Sequence, residues 1–566
     1  MPTEKKLTGY PSIDKPWLKY YSNAAITAKT PECSMYEFAF NNNKQELNSC
    51  CFEYFGAKIT HKAFFNKVIK AVNAFNAMGI KKGDVVTIMS MHTPETLAAI
   101  YALNYIGATA NMIYMTLAEN EIVNYISNTN SKAFLVLDIA IEKAMKIKPL
   151  VSVPIVVLSL ADSMPLLAKT VFGFKTKKVN HSFIKFGELI SKYNATATFD
   201  ADNDCNNTAI IVYTSGTTGS PKGVMLSNHC INSIAFACSL TEKNYQRGQT
   251  FLQPIPPFLG FGITMSHLGV SLGQITQLIM SPDPDEIAKA FMKLKSNRMV
   301  YGPRLTDSIM KYVTGDLSHL IDFTGGGEAI APDKEMQINE FLKTHNAGAK
   351  YTTGYGMTES ASAVAMNSNN VYKMGSAGIP LPTMNIKVVD DGVEQPCNQI
   401  GELLFSGPSI MQGYYNNKEA TEDAIEVDSE GVHWLHTGDL GYVDEDGFVF
   451  ITGRLKRIFT VFGKDKNMYK LFPQRIEEFI ATLSNVNGCA VVVQEDKEKL
   501  HKAIAFVSLV STKNSEATIE EIENALAKEL PEHMQPDSVV VLEDIPLTTS
   551  GKVDYHVLER EAEKLQ

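Results

Sequence analysis

The sequence predicts an α/β protein of more than one domain, built on a largely parallel sheet, and three observations predict it. The chain has 566 residues, well past the roughly 250–300 at which a single hydrophobic core stops growing. Up to about residue 200, apolar segments of helical period alternate with short apolar runs of strand length. From about residue 371 the texture changes to short strands and turns, and the last hundred or so residues regain the alternation.

Each element has a local reason. Residues 62–78 place apolar side chains at helical spacing, and Gly79 then supplies the left-handed stop. Residues 84–90 read as a buried strand, 95–106 as a helix, 134–137 as a second strand and 155–160 as a third. The run 208–213 (TAIIVY) is another short strand, feeding a loop rich in glycine and hydroxyls. Segments 401–407 and 444–453 read as short strands with turns, and 488–494 and 503–510 as strands of a final unit. The basic run 454–457 marks the boundary, giving domains 1–455 and 456–566.

Bulk properties narrow the function classes. Apolar residues make up 45% and charged residues 20%, which is globular rather than disordered composition. A net charge of −10 argues against chain-wide attraction to nucleic acid. The eight cysteines form no CxxC pair and no zinc-ligand spacing, so they read as reduced thiols of a cytoplasmic protein. The first residues lack the apolar run of a signal peptide. Residues 149–168 are the most apolar long stretch, but three prolines and Asp162 exclude a membrane-spanning helix. Residues 166–178 mix apolar side chains with four lysines. They read as a surface helix or loop, with weak peripheral membrane contact as the alternative.

The chemistry-bearing pattern is the loop at 213–223, YTSGTTGSPKG. Glycines let backbone N–H groups close around an anion, hydroxyls add donors, and Lys222 adds positive charge, so the loop suits a polyphosphate. A Walker loop would end in Gly-Lys-Ser/Thr, whereas here Pro221 precedes the lysine and Gly223 follows it. A flexible linker does not fit a loop fed by a buried strand.

This loop, with Thr214, Ser215, Gly216, Thr217, Thr218, Gly219 and Lys222, resembles the signature of adenylate-forming (AMP-binding) enzymes. Those include acyl-CoA synthetases, peptide-synthetase adenylation domains and firefly luciferase. Five further motifs follow in the family's order: 324–328 (TGGGE), 354–360 (GYGMTES), 436–440 (HTGDL), 453–456 (GRLK) and 546–552 (PLTTSGK). The resemblance implies a large N-terminal domain of αβ layers plus a distorted β-barrel, and a small mobile α+β C-terminal domain. It implies that Gly326, Gly327 and Glu328 form the adenine turn, and that Tyr355, beside Gly356, stacks on the base. It further implies that Thr358 contacts the α-phosphate, Glu359 holds Mg²⁺, and Asp439 and Arg454 bind ribose. Lys456 would be the hinge, Lys552 the mobile catalytic lysine, and Gly463 the close approach to a thiol arm in the coenzyme A tunnel.

Each residue type fits that chemistry. A carboxylate is a poor acyl donor until attack on the α-phosphate of ATP gives it AMP as leaving group. Gathering those anions calls for a donor-rich loop, a lysine and a divalent ion. In the acyl region, residues 256–262 carry Leu259 where many acyl-CoA synthetases have histidine. No acidic residue occurs between Phe251 and Leu278, which argues against an amino-acid substrate. Phe258, Phe261, Ile263 and Met265 read equally as acyl pocket or core. Residues 461–473 are longer than usual between glycine and proline, and Arg475 stands where the family commonly has an acid. The expected function is ATP-dependent ligation of a hydrophobic acid, such as a fatty acid, to coenzyme A. Alternatives are a carrier-protein pantetheine as acceptor, an aryl or bile-acid substrate, and a non-catalytic nucleotide-binding relative. The chain runs only fourteen residues past Lys552, which favours free coenzyme A as acceptor. Oligomeric state is left open.

Overall fold

The structure, a computed structural model, describes residues 7–173, 183–214, 221–243, 245–281, 283–328, 330–457, 459–496, 498–511, 515–548 and 552–565. Two large, mainly parallel sheets carry most of the chain. One has eight strands and is parallel through Val85–Met89, Thr109–Met112, Phe134–Leu137, Ile155–Leu158 and Thr208–Tyr213. The other has nine, parallel through Thr250–Gln253, Ile275–Leu278, Arg298–Tyr301, Asp322–Gly325 and Tyr351–Gly356. The predicted helix at 62–78 is His61–Ala77, capped by the Thr60 hydroxyl. The one read at 95–106 begins at Pro94, where the Thr93 hydroxyl accepts from the Thr96 N–H at 3.0 Å. All thirteen residues of Pro94–Ile106 are buried, as suits a helix with apolar residues on every side and only Glu95, Thr96 and Asn104 strongly polar.

Two element ends differ from the sequence reading, each for a local reason. The strand expected at 155–160 stops at Leu158, because the Asp138 carboxylate takes the Ser159 hydroxyl and the Leu160 N–H. The last strands run longer than expected, as Val486–Asp496 and Leu500–Leu509. Their polar ends still pair across the hairpin, Glu495 opposite His501 and Gln494 opposite Lys502. The surface helix expected at 166–178 is Leu166–Gly173, with Leu166 and Leu167 exposed; residues 174–182 lie outside the described ones. No described helix is long and apolar enough to cross a membrane.

The segment expected as a distorted barrel is a six-stranded antiparallel sheet centred on His433–Val443. One edge of that long strand pairs with Gly401–Ser406, and the other is divided between Ile425–Val427 and Val449–Arg454. The small C-terminal unit has its own apolar cores, drawn from residues 459–562, which share no residue with the two cores before it.

Candidate active site

The strands Thr208–Tyr213 and Gly223–Ser227 pair antiparallel, Tyr213 opposite Gly223, and the loop between them is closed by the Thr214 N–H donating to Lys222 O at 3.1 Å. Ser215, Gly216, Thr217, Thr218 and Gly219 lie outside the described residues. Lys222 sits with its ammonium 4.8 Å above the Tyr414 ring. The Tyr414 hydroxyl donates to Glu359 Oε1 at 2.8 Å. Glu359 is 7% exposed, and its carboxylate takes no other hydrogen bond among the described residues. The residues read as phosphate-binding and metal-binding therefore meet through a tyrosine that no motif marked.

The nucleotide motifs stand at the carboxyl ends of adjacent parallel strands, where open α/β sheets hold ligands. Asp322–Gly325 pairs with Tyr351–Gly356, Thr324 opposite Thr352. Beyond the first strand the Gly326 N–H donates to Tyr301 O at 3.1 Å, and Gly327 takes φ +87°, which glycine reaches without strain. Glu328 stands 3.6 Å from Arg304. At Gly356 a Cβ would fall 1.9 Å from Ser362 O, so only glycine fits. The Tyr355 hydroxyl donates to Asp439 Oδ2 at 2.6 Å, and Asp439 Oδ1 pairs with Arg454 Nε at 2.8 Å. Burial, then the Asp439 charge, hold the Tyr355 phenol well above its usual pKa, so it stays a donor. Asp439 and Arg454 are cross-strand partners, which is why motifs fifteen residues apart meet. His436 and Gly438 both bond Glu402, at 2.9 Å each, and brace that turn.

Thr358 opens the turn Thr358–Ser360, and its methyl lies 3.3 Å from where a Cβ on Gly260 would stand. The buried helix Gly260–Ser271 thus abuts the turn that carries Thr358. Of the acyl candidates, Ile263 and Met265 are packed in the core, and Phe258 is buried 5.0 Å from the Tyr114 ring. Phe261 is half-buried, with its ring 4.0 Å from where a Cβ on Gly326 would be. Gly302 and Gly326 leave room beside it: a Cβ on Gly326 would meet only Gly354 O, at 3.5 Å, and Phe261.

Lys552 is held in a tight loop by the Thr548 N–H donating to its carbonyl at 2.7 Å. It keeps an exposed surface, yet crowding by the surrounding protein, then Arg454, lowers its pKa. Glu328, Asp439 and Glu359 act the other way. The lysine of the small unit therefore lies in the field of residues from four other motifs. Gly463 follows Phe459–Phe462 in the hairpin turn, its N–H bonded to Asn467 O at 3.0 Å. Lys456 lies in the short turn Leu455–Arg457.

Sequence reasoning missed a charged cluster behind the Thr324 strand. Lys243 Nζ lies 2.7 Å from Asp322 Oδ1 and 2.5 Å from Thr324 Oγ1, and Arg298 Nη1 lies 3.1 Å from Asp322 Oδ2. All three charged groups are buried. Burial pushes the Asp322 carboxyl up, but Lys243 and Arg298 outweigh it and hold it below the usual range. Its members come from positions 243, 298 and 322, so no local signal marks them.

Magnesium fits this donor set. The ion binds through one or two carboxylates plus substrate phosphates. Glu359 offers one buried carboxylate, and no group of three or more metal-ligating side chains occurs among the described residues.

A family model described as AMP-binding enzyme matches residues 38–415, and one described as AMP-binding enzyme C-terminal domain matches residues 475–552. A long-chain-fatty-acid–CoA ligase of Bacillus subtilis is 26% identical over 570 residues, covering 97% of this chain and 98% of its own. A probable CoA ligase of Humulus lupulus is 30% identical, covering 88% and 87%. An anthranilate CoA ligase solved with anthranoyl-AMP superposes with TM-score 0.81 at 20% identity, over 94% of this chain and 98% of that one.

Proposed function

This chain belongs to the AMP-binding enzyme family, and from that premise we propose that it joins a hydrophobic carboxylic acid to coenzyme A, with a fatty acid as the favoured substrate. One observation supports the reading: Lys552, from the small unit, lies within the electrostatic reach of Arg454, Glu328, Asp439 and Glu359. That grouping is what acyl-adenylate formation needs and what nucleotide binding alone does not.

In the first step a carboxylate oxygen attacks the α-phosphorus, and the bond to the β-phosphate oxygen breaks, releasing pyrophosphate. Loop 214–222 holds the β- and γ-phosphates, Thr358 the α-phosphate, and Tyr355 with Gly326, Gly327 and Glu328 the base. Asp439 and Arg454, already paired with each other, take the ribose hydroxyls. Lys552 stabilises negative charge on the carboxylate and α-phosphate together. Magnesium on Glu359 would neutralise phosphate charge, with the Tyr414 hydroxyl orienting the carboxylate. In the second step the thiol sulfur attacks the acyl carbon, the C–O bond to AMP breaks, and the thiol proton is released. The unit from residue 456 turns about Lys456, withdrawing Lys552 and bringing Gly463 toward the thiol arm.

Phe261, with no acidic side chain between residues 251 and 278, supports an uncharged acyl body. An aryl acid is the second reading, favoured by the open space beside Gly302 and Gly326, which would admit a flat ring. All eight cysteines are unpaired, which supports a reducing, cytoplasmic setting.

The test is pyrophosphate release from ATP and Mg²⁺ across fatty, aryl and bile acids, with and without coenzyme A. Release with one acid class, and thioester only when coenzyme A is present, is the expected result. Thioester formed only on a carrier protein would replace the acceptor, and silence from folded, ATP-binding protein would refute the ligase.

A further inference from the structure

The hinge is gripped on both sides. On the N-terminal side Arg454 is tied to Asp439, which also holds Tyr355. On the C-terminal side Arg457 makes a two-pronged pair with Glu477, Nη2 to Oε1 at 2.8 Å and Nη1 to Oε2 at 3.1 Å. The same guanidinium donates to the Tyr555 hydroxyl at 2.9 Å and to Val491 O at 2.8 Å, and lies 4.2 Å over the Tyr555 ring. Tyr555 in turn donates to Glu477 Oε1 at 3.0 Å. Only Leu455 and Lys456 stand between the two grips.

Tyr555 opens the helix Tyr555–Glu563, three residues beyond Lys552. Three residues span at most about 10–11 Å of chain. That short connection is closed further: Asp554 N–H donates to Pro546 O at 2.8 Å, and Leu547 bridges Val553. The first residue past the pivot is therefore bolted to the root of the loop that carries Lys552.

We propose that Arg457 is a positioning residue, which with Glu477 and Tyr555 fixes the Lys552 loop to the pivot so that rotation about Leu455–Lys456 delivers Lys552 to one place. A guanidinium suits the task because its fork satisfies a carboxylate, a phenol and a carbonyl at once, which a lysine ammonium does not in fixed geometry. The two residues between the grips absorb the backbone change, and everything beyond them moves as one body. This rests on the reading that Lys552 serves adenylation and not thiol transfer.

The test measures the two half-reactions separately in the full chain: pyrophosphate release from ATP and acid, and thioester formation from supplied acyl-adenylate. Tyr555→Phe keeps the Arg457–Glu477 pair and so guards against simple unfolding. It should slow adenylation about tenfold, through loss of the two charge-assisted hydrogen bonds of the Tyr555 hydroxyl, and leave thioester formation within about twofold. Arg457→Met should lose more of adenylation, about a hundredfold, and Arg457→Lys should fail to restore it. Equal slowing of both halves, or unchanged adenylation in Tyr555→Phe, overturns the proposal. Lys552→Ala is the control. If it spares thioester formation while the Arg457 and Tyr555 variants do not, the clamp fails alone. If Lys552→Ala itself slows both halves alike, the reading beneath the clamp fails.

Discussion

Asp322 is the residue on which the most buried charge depends. It faces Lys243 and Arg298, and the three sit behind the strand that ends in the Thr324 turn. Asp322→Asn would leave two buried cations without a carboxylate, at a cost of about 3–5 kcal/mol. Lys243→Met leaves the Arg298–Asp322 pair intact and should cost clearly less, and urea unfolding of both variants reads the order. His436 gives a pH-dependent counterpart. Its hydrogen bond to Glu402 raises its pKa against the opposing effect of burial. A histidine raised above its unfolded value of about 6.5 contributes stability that is full below that pH and lost as pH rises through the folded pKa. The Tm gap between the native chain and His436→Gln should therefore be larger at pH 6 than at pH 9. Tyr414→Phe removes the only hydrogen bond on the Glu359 carboxylate among the described residues, and should raise the KM for Mg-ATP with little change in Tm.

Elements were legible where period and punctuation agree. The strands Phe134–Leu137 and Thr208–Tyr213 match their sequence reading, because a short apolar run bounded by polar residues has few other homes in a parallel sheet. Ends were less legible, since they depend on partners remote in sequence: Asp138 stops the strand after Leu158 by holding Ser159, twenty-one residues away. The site divides the same way. Asp439 with Arg454, and Gly356 beside Tyr355, could be picked out because each lies within a short motif. Tyr414 and the Lys243–Arg298–Asp322 cluster could not, because side chains from separate elements meet only after folding. Gly356 also yields a prediction at this scale. Gly356→Ala drives a methyl into Ser362 O, 1.9 Å away, and should displace the strand that carries Tyr355. ATP turnover should collapse well before the fold does, read by activity alongside circular dichroism.

At the scale of the whole molecule, the two units have separate cores, and the proposed function has the lysine of the smaller complete the motifs of the larger. In that proposal the two chemical steps at one site have the smaller body move between them. Lys456→Pro restricts φ at the pivot. It should keep pyrophosphate release while slowing thioester formation, the reverse of Lys552→Ala, as separate assays of the two halves would read. The central claim is that an enzyme-bound acyl-adenylate forms before any thiol is engaged. Its most direct measurement is exchange of labelled pyrophosphate into ATP, with the acid present and coenzyme A absent, in the native chain and in Lys552→Ala. Acid-dependent exchange is expected in the native protein, with loss of that exchange in the variant. Exchange that needs coenzyme A, or that persists undiminished without the Lys552 ammonium, would contradict it.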